Sequence, residues 1–261
     1  MSTASLLPGT FENVDRRVLG AFRLIDSITA GTVSEPMTVQ SPGLTLRQNR
    51  SGIWVIFNGP NFTPLTNSFF PPANWPPSAS FTVSIQDPSG KYLSRLATIE
   101  VPAPLTAASD PASVFNPQGI TLFASAGAAM GANWAVVRAS VVRAATTPPQ
   151  GLANAILRVT RSSDNSILAV GMTDARGEAL LAVPGLGVRA GTTPTGPVLE
   201  ATTAVSVEAF FDSTFLTQPA GFLPNPDQLL SNLGAASVKT NTLTAQLGAG
   251  LSIPLNFSIS V

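Results

Sequence analysis

Apolar and polar residues alternate with a period of two along most of this chain, which predicts half-buried β-strands rather than helices. In a first strand, Ala21 and Arg23 point away from the face shared by Phe22 and Leu24. Residues 44–48 (Leu-Thr-Leu-Arg-Gln) and 53–57 (Ile-Trp-Val-Ile-Phe) flank Asn49-Arg50-Ser51-Gly52, a polar turn ending in glycine, and so predict a hairpin. A second hairpin pairs 81–85 with 92–101 across Asp87-Pro88-Ser89-Gly90, an order of Asp, Pro and Gly that a type I turn favours. Further along, 135–143, 153–161, 166–172, 179–183 and 205–211 read as strands separated by turn residues. Asn225 to Asn232 predicts one short helix, with Asn225 as N-cap, Pro226 at the first helical position and Asp227 in the first turn.

The terminal stretch alternates Ile253, Leu255, Phe257, Ile259 and Val261 with Ser252, Pro254, Asn256, Ser258 and Ser260. Its apolar face suits a core, and two placements stay open. Either it is a central strand, or it is an edge whose free side adds to a neighbouring subunit's sheet. Between 102 and 117 the composition turns to Pro, Ala and Ser, which cannot build a ladder. The predicted fold class is therefore all-β: two tandem β-sandwich domains joined by a Pro-rich linker. The divisions are an N-terminal arm at 1–16, a first sandwich at 17–101, the linker at 102–117 and a second sandwich at 118–261 that includes the C-terminal strand. The linker is the expected first site of limited proteolysis, releasing two folded pieces.

Composition narrows the chemistry. The chain holds no histidine and no cysteine, which removes the Ser-His-Asp relay, the thiolate nucleophile, disulfides and the usual zinc ligands. Lys and Arg number 14 against 14 Asp and Glu, so no electrostatic footprint for nucleic acid or an anionic membrane exists. The segment from Met1 to Arg17 lacks the pattern of a signal peptide. The apolar run 120–137 is long enough to cross a bilayer, but it is rich in Ala and Gly and reads better as strand, loop and strand. Asn49, Asn61 and Asn256 open N-x-S/T triplets that are chance matches without secretion. The protein is expected to be cytoplasmic, without direct membrane insertion.

Candidate sites are few. Asp174 and Glu178 form the best carboxylate pair, and they flank a turn that Asp174 is expected to cap. Lys91 and Lys239 are expected to be solvated. No calcium-loop or phosphate-loop pattern is present, so catalytic residues, cofactor-binding residues and metal ligands are all read as none. The candidate partner-binding residues are Phe69, Phe70, Trp75 and Trp134. The first three sit among prolines in 69–77, either folded back onto the first sandwich or presented as an apolar anchor. Trp134 follows the Ala/Gly run and is open to both readings, whereas Trp54 is expected in the core. Charged residues make up only 11% of the chain, against roughly 25% in ordinary soluble domains. A subunit that buries much of its surface against neighbours tolerates that poverty, so a homo-oligomeric building block of an assembly is expected.

Two passages carry a family resemblance. Gly151-Leu-Ala-Asn-Ala-Ile-Leu-Arg-Val followed by Thr173-Asp-Ala-Arg-Gly-Glu resembles the carboxypeptidase-regulatory-like, or transthyretin-like, β-sandwich, with its G-x-x-x-A-x-x-x-V strand and T-D-x-x-G turn. Residues 23–29 with 49–56 look like a more divergent copy lacking the T-D turn. The two-part layout resembles accessory components of phage-tail-like contractile injection systems. That resemblance implies a structural cap adaptor contacting cap, sheath or tube subunits. The alternative is a ligand-binding or adhesion module that grips a glycan or peptide through exposed aromatics.

Overall fold

The computed structural model describes residues 18–62, 65, 75–187, 189–193, 196–200, 202–219 and 221–261, with backbone alone for 189–193 and 196–200. The expected N-terminal arm lies outside them. The fold is all-β, with several sheets and little helix among the described residues.

The first unit has two sheets. One runs β3-β4-β1-β7, from β1 (Gly20–Asp26), β3 (Thr45–Gln48), β4 (Ile53–Asn58) and β7 (Gln118–Leu122). The other runs β2-β5-β6, from β2 (Thr38–Gln40), β5 (Ala79–Gln86) and β6 (Arg95–Val101). Phe22, Leu24, Ile56, Val83, Ile85 and Ile99 meet between them in one core. Both predicted hairpins form for the reasons read in their turns. The Asn49 side-chain oxygen accepts from the N–H groups of Ser51 and Ile53, each at 2.9 Å. Gly52 takes the left-handed φ of +78° that such a turn reserves for glycine. Asp87 accepts from the N–H groups of Ser89 and Tyr92, both at 2.8 Å.

Strand β7 moves the expected boundary. It pairs in parallel with β1, Phe22 opposite Gln118 and Asp26 opposite Leu122, and buries Ile120 and Leu122 in the first core. Composition placed these residues at the start of the second sandwich. Residues 102–117 therefore do not connect the two sandwiches; they form part of the crossover that a parallel pairing requires. They are tied down along their length. Ala103 donates to the Leu19 carbonyl at 2.7 Å, Val114 to the Pro104 carbonyl at 2.9 Å, and the buried Ser113 hydroxyl to the Thr106 carbonyl at 2.9 Å. The segment expected to separate two folded pieces therefore lies inside the first sandwich.

The second unit follows. Its strands are β8 (Ala135–Arg143), β9 (Gln150–Gly151), β10 (Ile156–Arg161), β11 (Ile167–Met172), β12 (Glu178–Val183), β13 (Arg189–Thr193), β14 (Gly196–Glu200) and β15 (Thr202–Asp212). Helix α1 (Pro226–Ser231), β16 (Val238–Gly248) and β17 (Ser252–Ile259) complete it. The sheets run β11-β10-β15-β16 and β12-β8-β17, with β9 beside β8 and β13-β14 as a separate hairpin. Val137, Val141, Leu157, Val159, Leu181, Val207, Phe211 and Phe257 fill the space between the two larger sheets. The apolar run 120–137 is strand, loop and strand, and among the described residues no helix is long and apolar enough to cross a membrane. Strand β17 pairs in parallel with β8 and ends its sheet, so it is an edge strand, yet Phe257 and Ile259 are fully buried.

The motif behind the family resemblance is an interlock. The buried Thr173 hydroxyl accepts from the Ala155 N–H at 2.8 Å and donates to the Leu152 carbonyl at 2.7 Å. A Cβ on Gly151 would stand 2.0 Å from the Arg176 carbonyl oxygen. Gly177 sits at φ +80°, and a Cβ there would meet the Val141 carbonyl oxygen at 2.4 Å. Glycine is required at both positions because backbone crosses backbone.

Candidate functional site

The four aromatic candidates do not form one site. Phe69 and Phe70 lie outside the described residues. Trp75 is half-buried against the first core, and its indole N–H donates to the Ala103 carbonyl at 3.0 Å. Trp134 packs with Ala124, Ala128, Val136, Leu180 and Ala182 in a separate cluster that also takes in Ile28 and Met130. Trp54 stacks on Phe22 with ring centroids 6.3 Å apart.

Composition gave no hint of the most constrained polar group, which is Arg95 at the joint between the sandwiches. Its side chain is fully buried. Its Nε donates to the Leu96 carbonyl at 3.0 Å, one guanidinium nitrogen to the Thr121 carbonyl at 2.6 Å, and the other pairs with the Asp227 carboxylate on α1. Burial pulls the guanidinium below its ordinary range, and the Asp227 charge and hydrogen bond pull against that. The helix is held from a second direction, because Leu96 donates to the Pro224 carbonyl at 2.7 Å and the Asn225 amide to the Thr98 hydroxyl at 3.0 Å. Asn225 holds the N-cap position as expected, but its side chain is spent on β6 rather than on a cap hydrogen bond. Phe123, Ile156, Met172, Phe210 and Leu229 surround the joint with apolar contact.

A second polar group lies on the rim of the first sandwich. The Tyr92 hydroxyl donates to the Asp26 carboxylate at 2.6 Å, while Lys91 pairs with Glu35 and lies 4.9 Å from the Tyr92 ring centre. Lys91 is thus paired rather than simply solvated. Burial pushes the Asp26 carboxyl up, but the Tyr92 hydroxyl, the N–H groups of Thr29 and Ile28 and the Lys91 charge outweigh it and hold it below the usual range. Burial and the Asp26 bond push the Tyr92 phenol up to about 12.

Most of the described aspartates are turn caps. Asp26, Asp87, Asp110, Asp164, Asp174 and Asp212 each accept from a backbone N–H two residues ahead. Asp174 also accepts from the Glu178 N–H at 3.0 Å, and Arg176 bridges both carboxylates. The pair is bound up in its turn, as the spacing predicted. Among the described residues, no three His, Cys, Asp or Glu side chains converge to hold a metal ion. An open cleft of about 300 Å³ follows the joint, lined by Thr121, Phe123, Ile167, Val170, Asp227 and Leu230.

What remains is surface. Across the outer face of the four-stranded sheet, the register aligns Thr160, Ser206 and Thr244 in one row and Arg158, Glu208 and Thr242 in the next. Arg158 and Glu208 pair at 2.7 Å and neutralise each other. The face is hydroxyl-lined and carries no net charge in these rows, which suits contact with another protein surface better than acid–base chemistry.

No family model matches the chain, and no curated protein matches it. Among solved structures it is similar to the Bacillus anthracis TIE protein, at 11% identity and a TM-score of 0.27. The match covers 92% of this chain, which spans about a third (33%) of that protein's length.

Proposed function

We propose that this protein is a non-enzymatic structural subunit, an adaptor that joins repeated components of a large assembly. The single observation that carries this reading is how the charges are spent. A chain with 11% charged residues commits Arg95, Arg158, Arg176, Lys91 and most of the described aspartates to its own turns, rim, joint and outer sheet face. Little charge is left to keep a free monomer apart from its neighbours. In the finer form of the proposal, the second unit is a transthyretin-like sandwich and the particle is a phage-tail-like contractile injection system, with this chain as its cap adaptor. The half-buried ring of Trp75 favours this over a module that displays aromatics to a glycan.

The test is affinity capture of the tagged full chain from its native cells, followed by sedimentation of what is captured. Recovery in a large particle with repeated sheath or tube subunits is expected. A highly soluble monomer captured with no partner would overturn the reading.

A further inference from the structure

A β-sheet edge is a template for pairing with another chain unless something blocks it. Where side chains are described, most edges here are blocked. β2 is three residues long, and β3 is four with a register shift between Thr45 and Leu46. The edge of β6 is covered by Pro224, Asn225 and the Gln118 amide, and the Thr121 carbonyl on the edge of β7 is taken by Arg95. β11 and β12 flank each other, with a Cβ built on Gly171 standing 3.2 Å from the Leu180 carbonyl oxygen. On β17, the Leu251 and Ile259 carbonyls accept from Val136 and Ala144, so the period of the ladder turns the backbone of Ser252, Pro254, Asn256 and Ser258 outward. Pro254 has no N–H there, and the Asn241 amide occupies the Ser258 carbonyl at 2.8 Å.

Strand β16 lacks such guards. The Ser213 N–H bonds the Ser237 carbonyl at 3.0 Å, which sets the phase of the β15–β16 ladder. Odd-numbered residues of β16 therefore bond β15, while Thr240, Thr242, Thr244 and Gln246 turn N–H and C=O to the open side. Among the described residues nothing bonds these backbone groups. The strand pairs with β15 over its 11 residues in unbroken register, contains no proline, and carries one charge, Lys239, near one end.

We infer that β16 is a homotypic docking edge, pairing antiparallel with β16 of a second copy about a twofold axis at Leu243. The sequence is self-complementary in that register. Thr242 stands opposite Thr244 of the second copy, Thr240 opposite Gln246 and Lys239 opposite Leu247. The two ammonium groups thus fall at opposite ends and no like charges meet. About eight backbone hydrogen bonds form between the open-side residues. The same axis brings the two β17 edges near each other, where Pro254 confines pairing to β16. This inference rests on the assembly reading and names one contact within it.

The test uses sedimentation equilibrium on the full chain. The parent should sediment at twice the mass of one chain. The double variants Thr242→Lys/Thr244→Lys and Thr242→Glu/Thr244→Glu set like charges opposite each other and should each sediment as single chains. Mixed in equal amounts they should return to the double mass, which also shows that both are folded. A parent that stays at single mass overturns the β16 contact and leaves the adaptor reading to the capture experiment. Double mass retained in both variants overturns the β16 contact while keeping self-association, as does a failure to pair on mixing with both variants folded by circular dichroism.

Discussion

The second sandwich has two strands of 11 residues, β15 and β16, paired in continuous register, and its core is closed by its own two larger sheets. The first is built from strands of three to eight residues and leans on its neighbour. The edge of β6 is finished by Pro224 and Asn225, and its buried Arg95 is neutralised by Asp227 on α1. The second unit supplies both a charge and an edge strand's cover, and in return its helix is anchored by Arg95, Leu96 and Thr98 and packs against Leu93 and Phe123. A short-stranded sandwich can therefore complete itself with parts of a longer-stranded one, at the cost of independent stability.

The harshest way to break that comparison is to remove β17. Deleting residues 252–261 takes Phe257 and Ile259 from the second core, each worth roughly 1.5–3 kcal/mol of burial, and leaves β8 with a bare edge. Loss of the second sandwich is expected to take the first with it, read as loss of the cooperative melt by circular dichroism. A truncated chain that melts like the parent refutes this.

Next in size is Arg95→Ala. It opens a cavity and leaves the Thr121 and Leu96 carbonyls without their buried donor, a loss of about 1–3 kcal/mol for each acceptor left unmet, while the exposed Asp227 carboxylate returns to water. The loss should fall on the first sandwich, splitting denaturant unfolding into two transitions with the second sandwich melting last. A single transition at the parent midpoint would show that the joint does not carry the first sandwich.

Local chemistry was legible in the sequence, and distant partnership was not. Asn49-Arg50-Ser51-Gly52 and Asp87-Pro88-Ser89-Gly90 announce their turns because the side chains that cap them lie within five residues. Thr173 and Gly177 belong to a recognisable motif for a similar reason, although the clamp they form on Leu152 and Ala155 needs coordinates to see. Strand β7 follows the Pro-rich stretch and so reads as part of the second sandwich, because its partner, β1, lies about a hundred residues upstream and alternation does not say what a strand pairs with. Arg95 shares its face of β6 with Ala97, Ile99 and Val101, but alternation does not name the partner of a charge on that face, and Asp227 lies far along the chain. Of the candidate aromatics, Trp75 reads as a folded-back ring before it reads as an anchor, and residues elsewhere in the chain half-bury it against the first core.

Acid should separate the two sandwiches more gently. Asp26, Glu35 and Asp87 lie in the first, and hydrogen bonds or the Lys91 charge hold each below its ordinary range. A folded value below the unfolded one means stability that is complete above the unfolded value and lost as pH falls through the folded one. In the second sandwich, the described carboxyl lowered in this way is Asp164, to about 2, and it is exposed. Between pH 5 and pH 2, amide protection factors should therefore fall first in peptides from 18–101 and later in those from 135–261. An equal fall in both would remove the electrostatic part of the asymmetry.

The smallest effect concerns one proton. Tyr92 is the single tyrosine of the chain, so its ultraviolet ionisation can be followed without interference. Burial and the bond to Asp26 raise its phenol from 10.0 to about 12, with Lys91 opposing them. A raised folded value means that this contact stabilises fully below pH 10 and ceases to do so as pH climbs through about 12. The tyrosinate absorbance of the folded chain should thus rise with a midpoint near 12. In Asp26→Asn the negative charge is gone, while an amide oxygen still accepts from Ile28 and Thr29 and keeps the turn. Its midpoint should fall back toward 10, the ordinary value, with neutral-pH stability changed far less than in Arg95→Ala. A parent midpoint already at 10 would mean that the Tyr92–Asp26 bond is not held in solution, and that the rim of the first sandwich is looser than its joint.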